Sequence, residues 1–154
     1  MHERNDTPRF RNDEGQALVE FALVLPIMLA ILFGIIELGR AYNYWIDQTH
    51  LANQAARFAS VDHRPDSGQT ITQYVRSQGT SQELRNGTGN VSPGLQICIA
   101  TSGVVGDPVT VTATSTYHWV PILGVSALST QIVGRATMRV EKTPSAYANG
   151  ECAG

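Results

Sequence analysis

With 154 residues the chain has room for one modest domain. A formal net charge of -2 and a charged fraction of 16% leave no basic stripe for nucleic acid and no acidic tail. The apolar residues, 42% of the total, are unevenly spread: one dense block lies between Ala17 and Leu38, and the remainder is rich in Thr, Ser, Gly and Val. That split predicts a membrane anchor followed by a small β-containing domain.

The first residues, Met1 to Gly15, are polar and carry Arg4, Arg9 and Arg11 beside Glu3, Asp6, Asp13 and Glu14. The apolar run follows, Ala17-Leu-Val-Glu-Phe-Ala-Leu-Val-Leu-Pro-Ile-Met-Leu-Ala-Ile-Leu-Phe-Gly-Ile-Ile36. Its length of about 20 residues suffices to cross a bilayer core of about 30 Å as a helix. A soluble core helix shows a polar face, and Phe21 to Ile36 has none. A cleaved secretory signal has a shorter apolar region and a small-x-small site after it, to which Glu37-Leu-Gly-Arg40-Ala-Tyr42 is a poor fit. The run therefore reads as a transmembrane helix over 16–38. The three leader arginines and the initiator amine, against Arg40 and Arg57 beyond, place the N-terminus in the cytoplasm. Tyr42, Tyr44 and Trp45 suit an aromatic belt at the far interface, or else pack against the soluble domain.

Two residues in the run need a reason. Pro26 removes a backbone donor and is a candidate kink, tolerated where neighbours re-satisfy the freed carbonyl. Glu20 is costlier: an acidic side chain at mid-membrane costs about 3 kcal/mol or more on insertion scales. Its place near the helix start lowers that cost, because depth is shallow and the helix dipole favours a negative charge. An interfacial glutamate near the headgroups is the plain reading.

Gly15-Gln-Ala-Leu-Val-Glu20-Phe places a glycine five residues before a glutamate that opens a long apolar helix. This resembles the prepilin-peptidase site of type IV pilins. The wider stretch from Gly15 to Pro26, with Gly34-Ile-Ile-Glu-Leu-Gly39-Arg40 after it, is similar to the TadE/TadG-like family of Flp (tight-adherence, Tad) pilus-assembly proteins. The resemblance is strongest over about 15–60. It implies a bacterial inner-membrane pseudopilin or minor pilin with a cytoplasmic leader, 1–15. A membrane prepilin peptidase would cut between Gly15 and Gln16. The new amine of Gln16 would lie one turn from Glu20, since residues four apart share a helical face. Implied partners are that peptidase, other pilins and the Tad inner-membrane machinery, with the bilayer as surroundings and no nucleic acid. The mature chain would begin with Gln16, where many pilins begin with phenylalanine.

From Arg40 to Ser60 no Pro or Gly intervenes past Arg40, so the helix is expected to continue as an extension over 39–60, on the periplasmic side in this topology. Trp45, Ala52, Ala56 and Ala59 form one line for packing on a sheet of the same chain. Tyr44, Leu51 and Phe58 form a second, available to another subunit. Residues 61–93 are polar and turn-rich and read as a linker with one short helix between Thr70 and Ser77.

Three stretches of period two then read as strands in a sheet domain over 94–143. They centre on Leu95-Ile97-Ile99, Val109-Val111-Ala113 and Ile132-Ala136-Met138-Val140, with a hairpin at Gly103 to Pro108. Trp119 to Leu128 is unusually apolar for a connection, either capping the core or forming an exposed patch. The expected fold is α+β: a long N-terminal transmembrane helix extending into a small antiparallel β-sheet domain, pilin-like in plan.

Cys98 and Cys152 both follow the apolar block, so an exported domain allows a disulfide between them. It would close a loop of roughly 50 residues, worth about 4 kcal/mol in the chain-entropy account. Cys98 alternates away from the apolar face, which predicts a tail, 144–154, pinned across the outer side of the sheet. The four histidines are scattered, with no ligand spacing for a metal. There is no nucleophile elbow and no phosphate loop, so neither enzyme nor cofactor is expected. The rival to a pilus component is an unprocessed, membrane-anchored binding module of the cell envelope.

Overall fold

The computed structural model describes residues 13–65, 68–120 and 128–153. The chain divides into two compact units, Met1–Ile36 and Glu37–Gly154. Helix α1, Asp13–Ser60, supplies the described part of the first unit and the opening element of the second.

In the first unit α1 is apolar on every side. Leu18, Phe21, Ile27, Met28, Ile31 and Ile35 are exposed, and the most apolar window of the helix has no residue buried within the protein. Among the described residues α1 is the one helix long and apolar enough to cross a membrane. An apolar surface on every side of a helix is one that lipid, as a solvent, suits. The helix runs through Pro26 without a break.

In the second unit α1 becomes amphipathic. Gln48, Leu51, Ala52, Ala55, Ala56 and Ala59 recur at helical spacing and are all buried. They cover one face of a sheet built from β1 Gln96–Thr101, β2 Pro108–His118, β3 Ser129–Arg139 and β4 Cys152–Ala153, in the order β3-β2-β1-β4. Every pairing is antiparallel, with Cys98 opposite Thr112 and Thr112 opposite Arg135. Ile97, Ile99, Val109, Val111, Ala113, Ile132 and Ala136 form the buried face, as the period-two pattern predicts. The expected α+β plan, a long helix followed by a small antiparallel sheet, is present.

Close approach of helix and sheet rests on small groups. A Cβ added to Gly134 of β3 would stand 2.5 Å from the Gln48 carbonyl carbon and 2.6 Å from the Thr49 nitrogen. Backbone touches backbone there, and only glycine leaves the room. Beside it the buried Gln48 amide sits with its nitrogen donating to the carbonyls of Ala113 and Ile132 and its oxygen accepting from Ser115. A polar side chain inside the core is thereby satisfied.

Four expectations need correcting. The short helix expected between Thr70 and Ser77 is present, but the described residues of 61–93 add a second helix and pack into the core. They form α2, Ile71–Ser77, opened by a Thr70–Gln73 capping box, and α3, Gln82–Asn86, capped by Ser81. Ile71, Val75, Leu84 and Val91 from this stretch are fully buried in the core. The helix lines also divide differently. Leu51 is buried, and Tyr44 and Phe58 pack against the same core, so the second line is occupied by the chain's own sheet. Trp45 instead is exposed and pairs with Tyr42 at 5.6 Å between ring centroids. The stripe is centred on Gln48 and Ala55, which leaves Trp45 at its margin. Finally, the tail does not lie across the outer face: Cys152 and Ala153 add edge-on to β1 as a fourth strand. Within the apolar connection, residues 121–127 lie outside the described residues.

Candidate functional site

Three places carry the polar and covalent ties of the described residues, and those singled out by sequence, Pro26 of α1 aside, fall at the first and the third. Gly15, Gln16 and Glu20 stand in the first turns of α1. Gln16 and Glu20 are four apart on one face, and the Gln16 side-chain amide donates to the Glu20 carboxylate at 3.0 Å. In the uncut chain, therefore, Glu20 already has a partner from Gln16, through the side chain rather than a terminal amine. Among the described residues nothing demands a glycine at Gly15, since an added Cβ would meet none of them within 4 Å. The peptide bond between Gly15 and Gln16 lies within helix, and a peptidase that reads extended backbone must first unwind that turn.

A second carboxylate, which sequence reasoning passed over, closes the apolar run. Glu37 is 8% exposed. It accepts from the Tyr117 phenol at 2.7 Å and faces the Arg40 guanidinium at 3.5 Å. The two α1 residues share a face at a spacing of three, and Tyr117 reaches them from the end of β2. Burial first, and then the Glu37 carboxylate, push the Tyr117 phenol up to about 12. The phenol thus stays protonated as a donor and Glu37 is compensated by one neutral and one charged partner. Tyr117 also packs against Tyr44 and, edge to face, against Trp119. The sequence signal was there: an acid at the end of an apolar run with an arginine three residues on.

The third place is the C-terminal end of α1. Asp62 has a left-handed backbone, φ 50°. The amides of Asp62 and His63 bond back to the carbonyls of Ala59 and Phe58, a Schellman-type ending in which aspartate takes the position glycine usually fills. Its buried carboxylate accepts from the Ser145 amide at 2.7 Å, the Ser145 hydroxyl at 2.7 Å and the Ala146 amide at 2.6 Å, with Lys142 at 3.8 Å. Burial acts to raise the carboxyl's pKa, but those hydrogen bonds and the lysine outweigh it and hold it below the ordinary carboxylate value. Tyr147 adds a bond to the Ala59 carbonyl. The segment after β3 is clasped to the helix end by these groups. The Cys98–Cys152 disulfide then fastens its last residues to β1, joining directly opposed positions 54 apart in sequence. Among the described residues no group of three or more His, Cys, Asp or Glu is placed to hold a metal.

These places lie apart along the chain: the head of α1, its entry into the second unit, and its C-terminal end with the segment that returns to it. The comparisons bear on α1. Residues 15–57 match the model of the TadE-like protein family. That match covers the apolar part of α1 and most of its amphipathic part, and bears out the family resemblance read from Gly15 to Arg40. No curated protein and no solved structure matches the chain.

Proposed function

We propose that the chain is a minor pilin or pseudopilin, or an assembly component, of a Tad-type pilus. It is held in the bacterial inner membrane by α1 and acts by helix-to-helix assembly rather than catalysis. The N-terminus faces the cytoplasm and the sheet domain faces the periplasm. A prepilin peptidase removes the leader after Gly15. The observation that carries this reading is the Gln16–Glu20 pair at the head of a TadE-like helix. A carboxylate in an otherwise apolar span has to be matched by a donor on its own face. Once Gln16 is the first residue, its amine stands one turn from Glu20, and the same carboxylate is free to reach the amine of its own or a neighbouring chain. Gly15, which none of the described residues requires, then has its reason in the peptidase cleft. The partners in this reading are the peptidase, other pilins and the inner-membrane machinery.

A second reading has its own support. Because the Gln16 side chain satisfies Glu20 without cleavage, an uncut, membrane-anchored binding module is also internally consistent. Glu20→Ala separates the two. The pilus reading expects loss of piliation with the protein still present in the membrane. Normal pili in that variant contradict it and favour the envelope-binding module.

A further inference from the structure

Strand β2 runs toward the end of the second unit at which α1 arrives from its apolar run. Ser115 meets Gln48, and Tyr117 reaches Glu37, the first residue of that unit. The ladder continues past the Ser129–His118 pair, because the Trp119 amide donates to the Leu128 carbonyl at 2.9 Å. Val120 and Leu128 therefore stand at the anchor-side end of the sheet, and they are 45% and 64% exposed. On α1 at the same end Leu38 and Tyr42 are exposed as well. Four apolar side chains thus face outward where the chain enters the domain, although the core beneath has buried every comparable residue of β1 and β2.

We propose that this end of the domain is a lipid-contact surface, with Leu38, Tyr42, Val120 and Leu128 seated in the interfacial layer of the bilayer that α1 crosses. The inference rests on the reading of α1 as a membrane span. Continuity identifies the occupant. Six residues of helix separate Tyr42 from Ile36, a rise of about 9 Å. The headgroup layer of one leaflet is itself about 5–8 Å deep. A tyrosine at that depth keeps its ring among acyl chains and its hydroxyl in water. The charges are complementary. Glu37 is occupied by Tyr117 and Arg40, while Arg40, 59% exposed, presents its guanidinium toward lipid phosphates. The exposed valines of the opposite sheet end, Val104 and Val105, lie in the β1–β2 hairpin and serve as an internal control. Seated in this way, the domain is held against the membrane face by a second contact besides its anchor.

The test uses the full-length protein in phospholipid nanodiscs with labelled Leu and Val methyl groups. Lipids spin-labelled at the headgroup should strip most of the intensity from Leu38, Val120 and Leu128 while Val104 and Val105 keep theirs. Equal intensities at Val120, Leu128, Val104 and Val105 overturn the proposal. Lipids labelled in the acyl chain report separately on Leu23, Leu25 and Leu29. If those methyls stay bright, the anchor reading itself fails; if they fade while Val120 and Leu128 do not, only the contact surface fails. Attenuation of Val120 and Leu128 by a spin-labelled second copy, and not by labelled lipid, assigns the surface to self-association and likewise overturns the proposal.

Discussion

The Tyr117 phenol and the Glu37 carboxylate, eighty residues apart in sequence, meet at 2.7 Å in a buried hydrogen bond. This bond ties the end of β2 to α1 at the first residue of the second unit. Tyr117→Phe should lower the stability of the domain by about 1.5–3 kcal/mol, the usual worth of a hydrogen bond to a charged group. Glu37→Ala should cost at least as much, because Arg40 and Tyr117 lose their shared acceptor. The double variant should cost less than the sum of the two. Denaturant unfolding of the full chain in detergent, followed through the sheet signal, checks all three.

Ionisation of Tyr117 gives a spectroscopic reading of the same contact. Its pKa is raised in the folded chain, so the stabilisation is complete below the ordinary tyrosine value of 10.0 and is lost as pH climbs toward about 12. Phenolate absorbance should show a late-titrating group of tyrosines, since burial also raises Tyr44 and Tyr147, and Tyr117→Phe should remove one phenol from that group. In Glu37→Gln the titration of that phenol should move down only part of the way, since burial is the larger cause.

The Asp62 clasp makes the opposite prediction. Its pKa is depressed in the folded chain, so its contribution is present above the ordinary carboxylate value and disappears as pH falls below it. Asp62→Asn should remove that acid-labile part and release the segment around Ser145. Amide exchange at Ser145 and Ala146 should rise in the variant at neutral pH and match the parent in strong acid.

Gly134→Ala should be among the most damaging small substitutions in the chain. The added carbon meets the α1 backbone, which cannot rotate aside as a side chain does. Overpacking of this kind costs about 1–3 kcal/mol, and a rigid neighbour puts the site at the upper end. Gly39→Ala is the control: nothing lies within 4 Å, and the helix gains about 1 kcal/mol of propensity. Opposite shifts in thermal midpoint are expected.

Cys98→Ser should free the last residues without unfolding the domain. The bond closes a long loop, for which about 2–4 kcal/mol is typical. The Asp62 and Tyr147 contacts still hold the segment upstream. Limited proteolysis should therefore clip beyond Tyr147 in the variant and leave the parent intact.

Much of this architecture was legible from local pattern. The apolar run, the alanines at 52, 56 and 59, and the alternation of Val109, Val111 and Ala113 each repeat often enough to name their element. What stayed hidden has no period. The two residues of β4 and the five of α3 are too short to show one. Gly134 looks like a strand weakness until α1 lies against it. Asp62 reads as a loop acid until Ser145 and Ala146 return to it from the far end of the chain. Glu37 was visible as an acid beside Arg40, but its burial depends on Tyr117. Gln16 and Glu20 stand four apart in the sequence, but the side chain of Gln16 as the donor in the uncut chain came only with the structure.

Cleavage after Gly15 is the step on which the assembly account turns. Intact-mass spectrometry of the protein from the membrane fraction of cells with an active prepilin peptidase tests it most directly. The expected product is a chain that begins at Gln16, and Gly15→Leu should keep the leader attached. A wild-type chain that still carries Met1 to Gly15 in those cells would contradict it.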